Sequence, residues 1–214
     1  MNSNAKKITT TAMLCAIAYV MVVIGRIPVV LFLKYDPKDI VITLGGLIWS
    51  PMTSFIVSVI VSLIEMVTIS ENGILGCIMN IVSTCSFACT AAVIYKKRRT
   101  LAGAVIGLLA GCIMMNLVMM LWNYLIAPIY MGYPREAVAK LLLPAFLPFN
   151  LLKAALNGAF TFLLYKPIIT ALRKTGYISG ETEMQKGKPI GLWLLAGVII
   201  ITCILLILSL NGII

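Results

Sequence analysis

The stretch IVITLGGLIWSPMTSF, residues 40–55, determines how this chain is divided into helices. It lies inside an apolar run, residues 37–68, that is long for one membrane-crossing helix and short for two, since each crossing needs roughly 20 residues. The pair Gly45-Gly46 weakens a helix, and Pro51 is tolerated in the first turn of a helix but not in its interior. We therefore expect one helix to end near residue 49 and another to begin at residue 51.

The composition of the whole chain is that of a multi-pass cell-membrane protein. Of its 214 residues, 61% are hydrophobic and 11% are charged, against roughly 45–50% and 25% in soluble domains. Long runs with almost no charge recur along the chain, at 11–25, 41–64, 74–95, 101–129, 141–165 and 189–210. Most of the chain is expected to lie in the lipid bilayer.

The basic residues predict how the chain is threaded, because cytoplasmic loops collect lysine and arginine. Basic clusters occur at Lys6-Lys7, at 95–100 (YKKRRT) and at 165–176 (YKPIITALRKTG), so the N-terminus and both later clusters should be cytoplasmic. An even number of crossings must then separate the first two clusters, so the run 37–68 must cross twice or not at all. We assign it two short or tilted crossings. The prediction is an all-α integral membrane core of six helices within residues 1–175, near 7–26, 37–49, 51–69, 73–95, 101–128 and 146–173.

The C-terminal part of the chain adds to this core. Residues 176–188 read as a polar linker, and 189–214 contain a seventh transmembrane helix, near 189–211, that should not line a pocket. Two segments between predicted helices, 26–39 and 127–148, carry prolines, aromatic residues and charges. Such segments suit gates or lids over a cavity that opens to the outside.

Several function classes lack their sequence signatures. The net charge of +10 sits in short clusters beside apolar runs, which indicates membrane loops rather than a nucleic-acid partner. The six cysteines form no CxxC pair and histidine is absent, so no zinc site is expected. The sequence also lacks the GxxxxGK[ST] phosphate loop that an ATPase would carry. We expect no enzyme and no cofactor. An intramembrane lipid-modifying enzyme stays as an alternative, although the seven carboxylates look scattered.

A polar stripe interrupts the last helix of the core. In LPFNLLKAALN, residues 147–157, Asn150, Lys153 and Asn157 fall on one helix face. An ionisable side chain inside the membrane is a functional-site hypothesis, and a cation near a helix N-terminus meets an unfavourable dipole. We expect hydrogen bonds to a bound ligand, rather than ion pairing, to compensate the charge. The alternative is a lysine that snorkels to the headgroups beside amides that pack helices.

Other polar residues extend this candidate site. Asn116 and Asn123 are seven residues apart on one face of helix 5, among Met114, Met115, Trp122 and Tyr124, and such a set suits a flat heterocycle. Asn80 and Glu65 could complete the wall or pair with neighbouring helices, and Asp39 either joins the site or caps its helix. Tyr35, in the first segment between helices, is also assigned to the site.

Two stretches carry a family resemblance. FLKYDPKDIVITLGGLIWSP at 32–51 and LPFNLLKAALNGAF at 147–160 resemble the riboflavin-specific substrate-binding subunits (S components) of energy-coupling factor (ECF) transporters, and the similarity covers residues 8 to about 175. It implies a six-helix fold that binds riboflavin from outside as a transported ligand. It also implies docking onto two ATPase subunits and one transmembrane coupling subunit.

The resemblance implies roles for individual residues as well. Asn150 and Lys153 match the flavin-binding motif, and Asn116 or Asn123 matches a further position. Ala12 and Ala16 fit an AxxxA element that meets the coupling subunit. The alternatives within the class are another vitamin or FMN, whose phosphate could satisfy Lys153. A channel or scaffold protein is disfavoured by the asymmetric amide and lysine stripe.

Overall fold

The structure is a computed structural model that describes residues 3–30, 33–69, 73–174 and 190–210. In these residues it is a helical bundle with one small hairpin. The elements are α1 (Ser3–Gly25), β1 (Ile27–Val30), β2 (Leu33–Tyr35), α2 (Lys38–Ile48), α3 (Pro51–Thr68), α4 (Gly73–Arg98), α5 (Leu101–Met131), α6 (Arg135–Leu141), a π-helical segment (Leu142–Phe146), α7 (Leu147–Lys174) and α8 (Ile190–Leu210). The predicted linker 176–188 lies outside the described residues.

Within the described residues, six helical stretches are long and apolar enough to cross a membrane. They are α1, α3, α4, α5, the stretch from α6 to α7, and α8. Large apolar side chains project outward from these helices, Ile8 on α1, Val67 on α3 and Leu194 on α8 among them, as expected of a surface in contact with lipid. The all-α membrane fold and the seventh C-terminal helix are confirmed.

Helix α2 differs from the predicted second membrane span. Its 11 residues make a helix of about 16 Å, roughly half of the hydrocarbon thickness. Nine of these residues are buried, because α1, α3, α4 and α7 surround the helix in place of lipid. Its sequence is as apolar as that of a lipid-facing helix, so composition could not distinguish the two.

The predicted break between α2 and α3 is confirmed. Helix α2 ends at Ile48, and Pro51 is the first residue of α3, where Ser50 caps the helix by accepting a hydrogen bond from the Thr53 amide. Gly46 allows the two helices to fold back on each other, since a Cβ there would collide with Ser54 and lie 3.0 Å from Ala92.

Close packing of α4 on α5 supports the centre of the bundle. A Cβ on Gly107 would lie 2.7 Å from the carbonyl oxygen of Ala91, and one on Gly111 would lie 2.7 Å from that of Phe87. With Gly103, these residues form a GxxxGxxxG repeat on α5, a spacing that lets helix backbones approach in membranes. Helix packing therefore accounts for these glycines.

The two segments expected as lids have regular structure. Within the first segment, residues 27–30 and 33–35 pair as the antiparallel β1–β2 hairpin. The second segment is mostly helical: α5 continues to Met131 and ends at Gly132, whose φ of 67° is left-handed, and α6 leads through the π-helical segment into α7. Pro144, which lacks a backbone N–H, lies within that segment.

The two ends of the bundle have different chemistry. One end, the basic end, carries Lys7, the exposed cluster 96–99, Lys166 and Lys174, where α1 begins, α4 and α7 end, and α5 begins. The opposite end, the cavity end, carries the hairpin and a concentration of buried charge. The candidate site lies at the cavity end.

Candidate functional site

A cavity opens between the hairpin, α3, α4, α5 and α7. Its volume is about 60 Å³, well below the range of roughly 300–1,000 Å³ typical of small-molecule sites. A ligand with fused rings therefore requires the walls to move apart. The lining residues are Arg26, Leu33, Lys34, Asp36, Glu65, Gly76, Met79, Asn80, Ser83, Met119, Phe149, Asn150 and Lys153.

Lys153 forms an ion pair below this cavity. Its Nζ lies 3.2 Å from Asp39 Oδ2, and its side chain is 5% exposed. The same carboxylate accepts hydrogen bonds from Thr84 Oγ1 at 2.7 Å and from Asn157 Nδ2 at 3.2 Å. The expectation that ligand hydrogen bonds alone offset the charge of Lys153 is therefore wrong, because Asp39 supplies a counter-charge. The snorkelling alternative is wrong as well, since the ammonium points into the bundle.

Asp39 belongs to this cluster and does not cap α2. Pro37 occupies the N-cap position and no side chain caps the helix, while the Asp39 carboxylate is directed at α4 and α7. Its location in the first turn of α2 also suits a negative charge, because the helix dipole is positive there. The carboxylate thus joins three helices through one buried group.

Tyr35 links the hairpin to the same cluster. Its hydroxyl donates a hydrogen bond to Asn157 Oδ1 at 3.0 Å, and the residue is 4% exposed. Burial, followed by the negative charges of Asp39 and Asp36 and by Cys203, raises the pKa of the Tyr35 phenol well above its ordinary value. The phenol therefore stays protonated and available as a donor.

A second set of charges, not predicted as a set, holds the hairpin against α3. Arg26 Nε lies 2.7 Å from Asp36 Oδ1, and both Arg26 and Lys38 pair with Glu65. Asn80 Nδ2 donates to Glu65 Oε1 at 3.1 Å, so these two residues both line the cavity and pair with each other. Lys38 is fully buried although it borders a predicted loop.

Three of the seven carboxylates converge at this end of the bundle, which corrects the expectation that the acids are scattered. Asp36, Asp39 and Glu65 are each paired with a cation. In the parts of the chain that the structure describes, no group of three metal-ligating side chains could hold an ion. Together with Arg26, Lys38 and Lys153, these carboxylates give six groups whose formal charges sum to zero.

The ion pairs also set the protonation of Asp36, in the loop between the hairpin and α2. Burial by itself would raise the pKa of this carboxyl. The charges of Lys38, Lys153 and Arg26, together with the Arg26 hydrogen bond, outweigh burial and hold the pKa below its ordinary value. Asp36 is therefore ionised at neutral pH.

The amides on α5 lie behind the cavity wall. Asn116 Nδ2 donates to the Cys112 carbonyl of its own helix at 2.8 Å, and neither Asn116 nor Asn123 lines the cavity. Met119, between them on the same face, does line it. Among the described residues, Asn116 Oδ1, both polar side-chain atoms of Asn123, and Asn150 Nδ2 are buried without a hydrogen-bond partner.

The residues around these amides divide between core and lipid. Met115 is fully buried in the core, whereas Met114 and Tyr124, which the sequence placed with the heterocycle site, are 43% and 40% exposed on the outer surface. Arg135 lies over the Tyr124 ring at 5.6 Å.

Ala12 and Ala16 are exposed on α1, while Leu14, Cys15 and Ala18 of the same helix pack inward.

Comparison with known proteins agrees with this architecture. The family described as "ECF transporter, substrate-specific component" matches residues 6–165, three quarters of the chain. The chain belongs to this family. As an S component it is similar to a solved chain titled "Structure and mechanism of the S component of a bacterial ECF transporter", with 26% identity and a TM-score of 0.68. That match covers 80% of this S component and 99% of the solved chain.

Three relatives have names that state a ligand. The S component is 27% identical to "Riboflavin transporter RibU" of Staphylococcus aureus, over 79% of this chain and 93% of the relative. It is 25% identical to "Riboflavin transporter RibU" of Streptococcus thermophilus, over 80% and 87%. It is 27% identical to "Riboflavin transporter FmnP" of Bacillus subtilis, over 76% and 92%. In each pair, the matched part covers most of the relative.

Proposed function

We propose that this S component binds riboflavin and mediates its uptake together with an ATP-driven ECF module. The observation that carries the proposal is the buried set at the cavity floor, where Asn150 and Lys153 of one helix line the cavity and Lys153 pairs with Asp39. Three relatives named as riboflavin transporters support the choice of ligand. A buried polar set of this kind is costly in a membrane protein and is expected where a ligand needs it.

The cavity suits the chemistry of a flavin. A flavin has a flat, apolar ring system with carbonyl and ring-nitrogen groups along one edge, and a ribityl chain with hydroxyl groups. Met79, Met119 and Phe149 offer apolar and polarisable surfaces for the ring faces. Asn150 Nδ2 and the Lys153 ammonium offer donors to the polar edge or to the ribityl chain.

The charge balance of the site favours riboflavin over its phosphate ester, FMN. The six paired groups sum to zero and Lys34 adds one positive charge, whereas a phosphate would bring roughly two negative charges close to Asp36 and Glu65. A neutral ligand leaves these ion pairs intact. The half-buried Lys34 also lines the cavity, and it is the cation through which FMN would gain affinity.

The energising partners are part of the proposal. The sequence carries no phosphate-loop motif, so uptake against a gradient requires ATPase subunits and a coupling subunit from elsewhere. We assign the exposed Ala12 and Ala16 of α1 to the contact with the coupling subunit, because small residues allow helices to approach closely. The basic end would face the cytoplasm, with the N-terminus, and the cavity end the outside.

The test is a titration of the purified protein with riboflavin, FMN, thiamine and biotin, followed by measurement of flavin fluorescence and absorbance. Saturable binding of one riboflavin per chain, tighter than that of FMN, is the expected result. Tighter binding of thiamine or biotin would replace the ligand but keep the S-component function. Equal affinity for FMN would assign Lys34 to the phosphate.

A further inference from the structure

We infer that α8 braces the β1–β2 hairpin over the ligand cavity and thereby slows ligand release. The inference rests on the proposed function for its ligand, but its structural basis is independent of which ligand binds. Helix α8 begins 25 residues after the end of the family match. The match to the solved S component covers 99% of that chain but leaves a fifth of this chain unmatched. The helix is an addition to the shared core.

The hairpin forms one wall of the cavity. Its strands have four and three residues, and an isolated hairpin of this size is marginally stable at best. Leu33 of the hairpin lines the cavity, and so do its flanking residues Arg26 and Asp36. Because the cavity is narrow, a flavin can enter or leave only when this wall or a neighbouring helix moves. Contacts that hold the hairpin down therefore control exchange.

Helix α8 supplies such contacts through one face. Cys203 and Ile207 are both 7% exposed, and they belong to an apolar cluster with Val29, Leu33 and Tyr35 of the hairpin. Direct contacts between α8 and β1 place this face against the hairpin. The same cluster contains Phe149, which also lines the cavity, so the packing of α8 reaches the ligand site through two wall residues.

Elsewhere on α8 the surroundings differ, although the partly buried Ile199 and Ile200 also pack against this cluster. Ala196, further toward the basic end, packs with a different cluster that includes Leu108 and Phe162 of α5 and α7. Ile201 is 59% exposed and faces outward. The chain thus offers two isoleucines on one helix, Ile207 against the hairpin cluster and Ile201 toward lipid, which differ in environment but not in residue type.

The experiment compares Ile207→Ala with Ile201→Ala in the full-length protein in lipid nanodiscs. Labelled riboflavin is bound to saturation and then displaced with an excess of unlabelled riboflavin. The dissociation rate and the fraction of the protein that binds riboflavin are both measured. We expect Ile207→Ala to release riboflavin several-fold faster than wild type, with unchanged stoichiometry, and Ile201→Ala to match wild type. Equal release rates in the two variants would refute the proposal that α8 holds the hairpin over the cavity.

A milder variant and a second measurement keep the test decisive. If Ile207→Ala does not fold, Ile207→Val should show a smaller acceleration in the same direction, and no acceleration would overturn the brace. Hydrogen exchange of the amides in residues 27–35 without ligand should be faster in the Ile207 variants than in Ile201→Ala. If the wild type does not bind riboflavin, the proposed function fails, while the exchange measurement still decides whether α8 holds the hairpin.

Discussion

The ion pair between Lys153 Nζ and Asp39 Oδ2, 3.2 Å apart, joins α7 to α2 within the apolar part of the bundle. The sequence indicated that Lys153 and Asn150 are unusual, because ionisable and amide side chains stand out in an apolar helix. It could not indicate the partner of Lys153, since Asp39 is more than a hundred positions away. The full burial of Lys38 escaped prediction for a related reason: its partner, Glu65, lies on another helix.

Lys153 pairs with Asp39, and we propose that it also donates to the ligand; variants can separate these two roles. Lys153→Met leaves a buried carboxylate without its cation, and we expect a loss of about 3–5 kcal/mol in the free energy of unfolding. Combining it with Asp39→Asn removes both charges and should restore most of that stability. Riboflavin affinity should stay low in the double variant, because the ammonium donor is still missing.

Thermal unfolding and riboflavin titration of both variants check this separation. Lys140→Ala, which removes an exposed lysine from α6, is the matched control and should leave both quantities unchanged. Wild-type riboflavin affinity in the double variant would mean that Lys153 serves the fold alone.

The lowered pKa of Asp36 gives the hairpin a defined pH dependence. A carboxyl whose folded pKa is below its unfolded value, about 3.9, contributes stability that is fully present above that value. The contribution disappears as the pH falls through the folded pKa. We expect the contribution of Asp36 to thermal stability to stay constant between pH 7 and pH 5 and to decrease below about pH 4.

Asp36→Asn tests the assignment to this residue. The variant should have a lower midpoint of thermal unfolding than wild type at pH 7, and the difference should shrink as the pH falls below about 4. Glu136→Gln, at an exposed position on α6, is the control and should follow the wild-type curve. A difference between Asp36→Asn and wild type that stays constant down to pH 3 would refute the role of the Asp36 charge.

At the scale of elements, the sequence predicted the helix breaks and bounds, which depend on residues that are close together in the chain. The break at Pro51 and the helix bounds follow from apolar run lengths, a glycine pair and a proline. The β1–β2 hairpin was missed because strands of four and three residues carry no usable periodicity. The burial of α2 was missed because a helix surrounded by helices and a helix surrounded by lipid have the same composition.

The contact between α4 and α5 gives a test of packing. Gly107→Ala places a Cβ 2.7 Å from the Ala91 carbonyl oxygen, a backbone atom that cannot move without shifting α4. Such overpacking costs roughly 1–3 kcal/mol, so we expect a lower midpoint of thermal unfolding. Gly197→Ala on α8 is the control, because a Cβ there has no atom within 4 Å among its described neighbours. Equal midpoints for the two variants would show that α4 and α5 are packed less tightly than the contact of Gly107 with Ala91 indicates.

At the scale of the whole molecule, the added helix and the proposed docking face involve different elements. Helix α1 packs against α2 and α3, whereas α8 packs against α7 and β1. An addition at α8 therefore leaves Ala12 and Ala16 exposed on α1. This arrangement lets the chain carry a seventh helix and still present the face that we assign to the coupling subunit.

The docking assignment separates ligand binding from transport. We expect Ala16→Trp to bind riboflavin with wild-type affinity, because Ala16 lies on the outer face of α1 and does not line the cavity. The bulky ring should block close approach of a partner helix, so co-purification with the coupling subunit and uptake of labelled riboflavin into cells should both fall strongly. Val198→Trp, at an outward-facing position of α8 that is 59% exposed, should retain binding, co-purification and uptake. Normal uptake by Ala16→Trp would exclude this face of α1 as the docking face, and loss of uptake in Val198→Trp alone would assign docking to α8.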